Sequence, residues 1–508
     1  MKAFINTHKK IFFLAFLFSC FCFWFMLTHY MVSIDEETWL LKDSGSPLWL
    51  LQGRFSIYIY NLLFTTYGRF VPFFSDILGI IFWNVSGILF AYIFFDFEQK
   101  GRWWVKLIML CYYNSVPLCV GEAFAFTMQI IPEAFAMALT AAAFVGTIKP
   151  WLRNKYANRA LILVFLIFSC GVYQALISVY VTAVAAWCFS RFLEKDTIRQ
   201  ELLAGICYSI AAIAVYYILN FAIGKIIGTA SYLTNNYIGW TNEGGVLTAL
   251  FLAFANVARV SLGITIDDVY VYGAVPLRIL MILFIIACIT LFFKENGLLW
   301  KAGITLFSLG LVLAPFSIYI AMGTYKTHGR MLIALSLSGM VEILIISKLL
   351  TRNWLQKAAC AIFSCILVAN AANMNQIYFS SYLVYQYDRT LAGQIMYDIQ
   401  RLGFDYHNKV IVFVGNRKRD NTAAFKSGTM GASLFEWDGG NISRIVDFMQ
   451  LEGYKLHMPS YQQTEEGLSL TKEMAVWPQE GSIVETEDSI VVYLSEPNEK
   501  WYVANLGK

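Results

Sequence analysis

An α-helical polytopic membrane protein, with about eleven spanning helices and a small C-terminal extracytoplasmic α/β domain, is the fold class this sequence predicts. Three observations carry that expectation. The 508 residues are 58% hydrophobic and only 14% charged, whereas soluble domains carry about 25% charged residues. Apolar runs of spanning length recur over the first three quarters of the chain. Lys and Arg collect in alternate connections, as the positive-inside rule requires.

The runs fall at about 11–32, 71–95, 105–121, 128–147, 160–172, 173–190, 202–227, 275–293, 298–321, 331–349 and 357–375. Met1-Lys2 and Lys9-Lys10 before the first run echo a secretory leader. The run continues to Val32 without an A-x-A site, so an uncleaved helix is expected. With the N-terminus inside, Lys100/Arg102/Lys106, Lys149/Arg153/Lys155/Arg159, Arg191/Lys195/Arg199, Lys294/Lys301 and Lys348/Arg352/Lys357 are all expected on the cytoplasmic side. Keeping Arg191, Lys195 and Arg199 inside requires two crossings over 160–190, broken around Gly171-Val172-Tyr173-Gln174. The odd total leaves the C-terminal region outside.

Two domains follow: a membrane region, 1–375, with outward loops 33–70 and 228–274, and an extracytoplasmic domain, 376–508. Within the second loop, Leu247–Ile264 suits a helix lying on a membrane surface. In the C-terminal domain charges return. Asp388–Leu402 reads as an amphipathic helix, Lys409–Gly415 as a buried strand, and Ser489–Leu494 as another. All ten cysteines precede Asn370, which leaves this domain no disulfide framework, and none has zinc-ligand spacing. A net charge of +4 does not point to nucleic acid. No internal repeat is evident, which weighs against a transporter built from inverted halves.

The most informative residues are Asp35-Glu36-Glu37, placed just past the outer end of the first run. Adjacent acids repel one another near low dielectric, and at a helix C-terminus they oppose the macrodipole, so capping does not explain them. A carboxylate there can take a proton from an attacking sugar hydroxyl, while a phosphate leaving group needs cations rather than an acid. In the same loop Gln52-Gly53-Arg54 offers a guanidinium for a lipid phosphate, although an interfacial arginine touching headgroups has the same signature.

Glu122 and Gln129, seven apart, would share a helical face unless Pro132 breaks the register. Glu133 follows, and could be paired by Gln174. Lys326, His328 and Arg330 concentrate charge in an outer loop where few cations are expected, which suits an anionic ligand or simply caps a hairpin. Tyr173-Gln174, Asn235-Asn236-Tyr237 and Trp240 suit sugar recognition, or an aromatic interface belt. Asp267-Asp268 is a weak cation signal. No Walker, G-x-S-x-G, H-E-x-x-H or G-x-G-x-x-G motif occurs, and the inner loops are too short for a nucleotide-sugar domain. A sugar donor would have to be lipid-borne.

The layout resembles the type II family of serotype-converting O-antigen glucosyltransferases, multispanning enzymes of the GT-C class. Asp35-Glu36, Gln52-Gly53-Arg54-Phe55, Glu122 with Gln129, Gly171-Val172-Tyr173-Gln174-Ala175 and Arg330 carry the resemblance. It covers the whole chain in architecture; where the family shows paired aspartates this chain has Asp-Glu, which leaves open which carboxylate is the base. The resemblance implies a GT-C-like bundle in the bacterial inner membrane and an undecaprenyl-phosphate-glucose donor, supplied by a separate synthase and flippase. It also implies a lipid-linked O-antigen acceptor and inversion at the anomeric carbon. Asp35, Glu36 and Glu122 would be catalytic, and Arg54, Lys326 and Arg330 would hold the donor phosphate. Gln52, Gln129, Tyr173, Gln174 and His328 would bind substrate. No metal site is assigned, although Asp35 and Glu36 could take a divalent cation. The rival readings are a flippase or transporter for lipid-linked saccharides, which should place polar groups at mid-membrane, and a membrane O-acyltransferase, which needs a placed histidine.

Overall fold

The computed structural model describes residues 1–41, 46–64, 71–98, 101–228, 239–240, 244–264, 272–294, 296–323, 328–418 and 423–508. They form two compact units: Met1–Thr28 with Ser44–Gln376, and His29–Asp43 with Ile377–Lys508. The short segment around the acidic triplet therefore belongs with the C-terminal residues.

In the first unit the apolar runs fold as helices, because lipid leaves the backbone no other way to satisfy its polar groups. Among the described residues ten helices are long and apolar enough to cross a membrane. The eleventh expected run, 331–349, yields a buried helix of 15 residues, Leu335–Leu349, preceded by the 3-10 turn Gly329–Leu332. At 1.5 Å per residue it is about 22 Å long, short of the ~30 Å hydrocarbon thickness.

The first helix is Lys2–Cys22, earlier than the 11–32 read from hydropathy. Asn375 explains where it stops. Its amide donates to the carbonyls of Phe21 and Cys22, and its oxygen accepts the Phe25 N–H. One side chain thus satisfies groups that a helix end would orphan.

Residues 155–193 form two helices, Lys155–Val172 and Leu176–Leu193, with Tyr173 in extended conformation between them. Gly171 matters here, since a Cβ would run into Ser56 Oγ and the Phe55 ring. Its absence lets the Phe55–Phe64 helix pack closely at the break. Within 247–264 a helix does form, Val246–Leu262, and it leaves Leu247, Phe251 and Phe254 exposed.

The last spanning run does not end near 375. It continues as one helix of 49 residues, Asn353–Arg401, and the amphipathic segment expected at 388–402 is its last part. No Gly or Pro stands between Gln376 and Asp388 to stop it.

The second unit holds a three-stranded sheet of order β1-β3-β2. β1 (Val410–Val414) pairs in parallel with β3 (Ser489–Tyr493), and β2 (Ile483–Glu485) joins β3 antiparallel. β1 and β3 fall on the two apolar segments noted in the sequence; β2, three residues long, is too short to show alternation. The helix Ile442–Leu451 buries Ile442, Ile445, Val446, Phe448 and Met449 in the core beside this sheet. Val32 and Ile34, from the far end of the sequence, fill the same core.

Candidate active site

In the first unit, polar side chains expected from the sequence converge at the Tyr173 break. The turn after the short helix Leu48–Leu51 puts Gly53 at φ 71°, a conformation that suits glycine, and presents Arg54. The Arg54 guanidinium donates to Gln129 Oε1 at 2.6 Å and lies 5.2 Å from the Tyr173 ring centroid and 5.6 Å from that of Trp49. Two aromatic faces and an amide thus hold the cation while its remaining N–H groups stay directed by a rigid fork.

Gln129 is 1% exposed, and its Nε2 has no hydrogen-bond partner among the described residues. One helical turn on, Glu133 is equally buried, and its Oε1 also has no partner among the described residues. Glu133 lies within electrostatic reach of Arg54, Arg330 and Glu122. Buried donors and acceptors are costly to leave unpaired, and such groups commonly mark a place where a ligand or water completes the set. Gln174 does not pair with Glu133. Its Nε2 donates to the Tyr216 hydroxyl at 2.7 Å and reaches the Gln52 and Gly53 carbonyls at 3.5 Å.

Glu122 and Gln129 do not share one helix. The helix Glu122–Phe124 stops at the turn Ala125-Phe126, and a new helix runs Thr127–Ile148 with Pro132 inside it. The register breaks at that turn rather than at Pro132. Glu122 instead accepts backbone N–H groups of Gly329 and Arg330. Its approach needs Gly329 to lack a Cβ, which would meet Glu122 Oε2 at 2.6 Å. The Arg330 guanidinium sits 3.8 Å over the Phe126 ring. His328 contributes its carbonyl, which accepts the Tyr319 hydroxyl at 3.0 Å. Trp240 donates Nε1 to the Ala321 carbonyl. Lys326, Asn235, Asn236, Tyr237, Asp267 and Asp268 lie outside the described residues.

The acidic triplet is built in the second unit. Asp35 stands at φ 80° ahead of the short helix Glu36–Trp39, so Glu36 and Glu37 occupy a helix first turn. This corrects the sequence argument: the preceding long helix ends at Cys22, and the acids begin a helix rather than following one. Glu36, 1% exposed, accepts the Ser33 N–H through Oε2 at 2.9 Å.

Arg444, on the Ile442–Leu451 helix, faces three carboxylates. Nη2 donates to Asp35 Oδ1 at 2.9 Å, Nη1 to Glu37 Oε1 at 2.5 Å, and Nε to Asp438 Oδ2 at 3.2 Å. The Asp35 side chain is 37% exposed whereas that of Glu37 is 0%. Within the triplet Asp35 is therefore the carboxylate that solvent reaches, held in a backbone conformation that non-glycine residues rarely adopt. Among the described residues no group of three or more His, Cys, Asp or Glu side chains could hold a metal ion. At the triplet it is the guanidinium that occupies the space between the carboxylates.

Burial pushes Glu37 up to about 7, with Arg444 opposing that rise and Asp35 adding to it. The folded state then holds this proton more tightly than an unfolded chain, whose Glu ionises near 4.5. Stability from this group is full below pH 4.5 and is lost as pH rises through 7. The thermal midpoint should fall across that window, and Glu37→Gln should flatten the fall while keeping the acceptor for Arg444. An unchanged slope in the variant would reject Glu37 as the titrating group.

Sequence reasoning missed Arg444, Tyr216 and Glu342. Arg444 had no signal, being one cation on an ordinary amphipathic helix. Tyr216 had a weak one, a phenol inside an apolar run. Glu342 had a clear one, a charge in the middle of the 331–349 run. It is 5% exposed and accepts the Ser338 hydroxyl at 2.9 Å.

A comparison with curated proteins finds no match. A family model described as "Glucosyl transferase GtrII" matches residues 24–345, more than half of the chain.

Proposed function

The chain belongs to the family of glucosyl transferases described as GtrII, and on that premise we propose that it moves glucose from a polyprenyl phosphate to a lipid-linked O-antigen or other surface polysaccharide. The reaction takes place at the extracytoplasmic face of the bacterial inner membrane, in a GT-C-type bundle. A separate synthase and flippase supply the donor.

The observation that supports this reading best is the pair of arginines at the Tyr173 break. Arg54 and Arg330 both lie within electrostatic reach of Tyr173 and Glu133. Two cations beside unpaired buried amide and carboxylate groups suit a phosphate bearing a hydroxylated sugar.

An acceptor hydroxyl oxygen attacks the anomeric carbon as the bond from that carbon to the phosphate oxygen breaks, inverting the centre. The hydroxyl proton passes to Asp35, and polyprenyl phosphate leaves with the bonding electron pair. Asp35 is the better base of the acidic step because Glu36 is buried and already engaged with Ser33. Arg54 and Arg330 hold the phosphate, Lys326 supplies a third cation, and Gln129 and Gln174 contact the sugar. Residues 376–508 serve acceptor recognition.

Purified protein incubated with undecaprenyl-phosphate glucose and a lipid-linked saccharide should give a product one hexose heavier by mass spectrometry. UDP-glucose should not replace the donor. Transfer from UDP-glucose but not from the lipid donor would sink the proposal.

A further inference from the structure

We infer that a cleft along the Arg199–Ile227 helix holds the isoprenoid tail of the donor. The inference rests on the lipid-borne donor proposed above and says where in the chain that lipid lies.

The cleft has a volume of about 820 Å³, within the ~300–1,000 Å³ of small-molecule sites. One wall is a single face of the Arg199–Ile227 helix, with Ile213, Tyr216, Tyr217, Asn220, Phe221 and Gly224 recurring at the three- and four-residue steps that align side chains. From Ile213 to Gly228 this wall is about 22 Å long at 1.5 Å per residue. The facing walls come from the break between Cys170 and Val181 and from the Ser317–Met322 helix. The lining is mainly apolar, and Tyr217 and Phe221 are 53% and 67% exposed, so the cleft is open along one side.

Two features select an amphiphile rather than a wholly apolar guest. Gln174 and Tyr216 line the cleft, and their hydrogen bonds run directly to the arginine turn: Gln174 Nε2 to Tyr216 at 2.7 Å, and the Tyr216 hydroxyl to the Gly53 carbonyl at 3.1 Å. The next residue is Arg54. The Tyr216 end of the cleft therefore abuts the turn that presents the Arg54 guanidinium, a cation that suits the phosphate, while Lys225 lines the cleft farther along the helix. The second feature is Ser317 Oγ, which is buried on another wall without a hydrogen-bond partner among the described residues and offers itself to a ligand oxygen. An elongated apolar trough leading to a cation matches a phosphorylated isoprenoid in both shape and charge.

The test compares two donors, undecaprenyl-phosphate glucose and citronellyl-phosphate glucose, whose tail is two isoprene units long. Gly224→Phe and Gly224→Trp progressively fill the end of the cleft remote from the arginine turn, about 12 Å along the helix from Tyr216. For the long donor KM should rise at least about tenfold, the equivalent of roughly two buried methylenes. For the short donor kcat/KM should stay within about twofold. No change with the long donor, or parallel losses with both, would overturn the assignment. Photocrosslinking of the unaltered protein with a diazirine-bearing farnesyl phosphate gives a check independent of the variants. Labelling should fall on 213–224 and be displaced by undecaprenyl phosphate. Labels elsewhere, or displacement by the lipid-linked acceptor alone, would refute the cleft. Should the unaltered protein take glucose from neither donor, the functional reading itself fails.

Discussion

Asp35→Asn should lower kcat by about 10²–10⁴-fold, the range lost when a positioned general base is removed. The substitution is close to isosteric, and an amide oxygen can still accept the Arg444 Nη2–H bond seen at 2.9 Å. The acidic step should therefore keep its shape, and the variant should reach the membrane with nearly unaltered thermal stability. The KM for donor should change little, because the proposed mechanism gives the phosphate to Arg54 and Arg330. Glu36→Gln should cost less in kcat, since Glu36 is buried and caps Ser33. The measurement is steady-state transfer from undecaprenyl-phosphate glucose at saturating acceptor. Full turnover in Asp35→Asn would remove it as the base, and the reverse ranking would pass the role to Glu36.

Arg444→Ala is expected to destabilise the second unit strongly. It strands Glu37, whose carboxylate is 0% exposed, and releases Asp35 and Asp438. Removing one partner of a buried pair typically costs about 3–5 kcal/mol. The Asp35 and Asp438 limbs are partly exposed and screened, so about 3 kcal/mol is the expected total. Adding Glu37→Gln should recover part of the loss, a coupling that a double-mutant cycle measures directly. Arg444→Lys should fall between, because an ammonium cannot reproduce three directed N–H bonds. Hydrogen exchange over 29–41 and 442–451 reads the result. Protection unchanged in Arg444→Ala would mean the three ion pairs contribute little.

The helices were the most legible part of the molecule, since an apolar run in lipid has one backbone solution. Their ends were not. Cys22 ends a helix because Asn375 reaches its carbonyl, a contact across some 350 residues that hydropathy cannot see. The Asn353–Arg401 helix runs past its apolar stretch because propensity, not hydrophobicity, decides where a helix stops outside lipid.

The site was legible by residue type and not by arrangement. Residue type singled out Arg54, Gln129, Tyr173 and Gln174, and the fold brings them together at one break. Spacing joined Glu122 to Gln129 on one face, and the turn at Ala125-Phe126 separates them. The acidic triplet stood out because like charges next to an apolar run need a reason. The reason, a guanidinium 400 residues downstream, leaves no mark on the local sequence. It also lies beyond residue 345, where the family match ends.

That distance sets a timetable. Val32, Ile34 and the carboxylates of Asp35 and Glu37 can enter their final surroundings only when Arg444 and the β3 strand have been made. At roughly 5–20 residues per second, synthesis leaves the acidic segment waiting for some tens of seconds. Throughout that interval its negative charges lack their counter-ion. A chain terminated between residues 402 and 443 would have its membrane helices complete and the Asp35 and Glu37 carboxylates with no guanidinium to hold them.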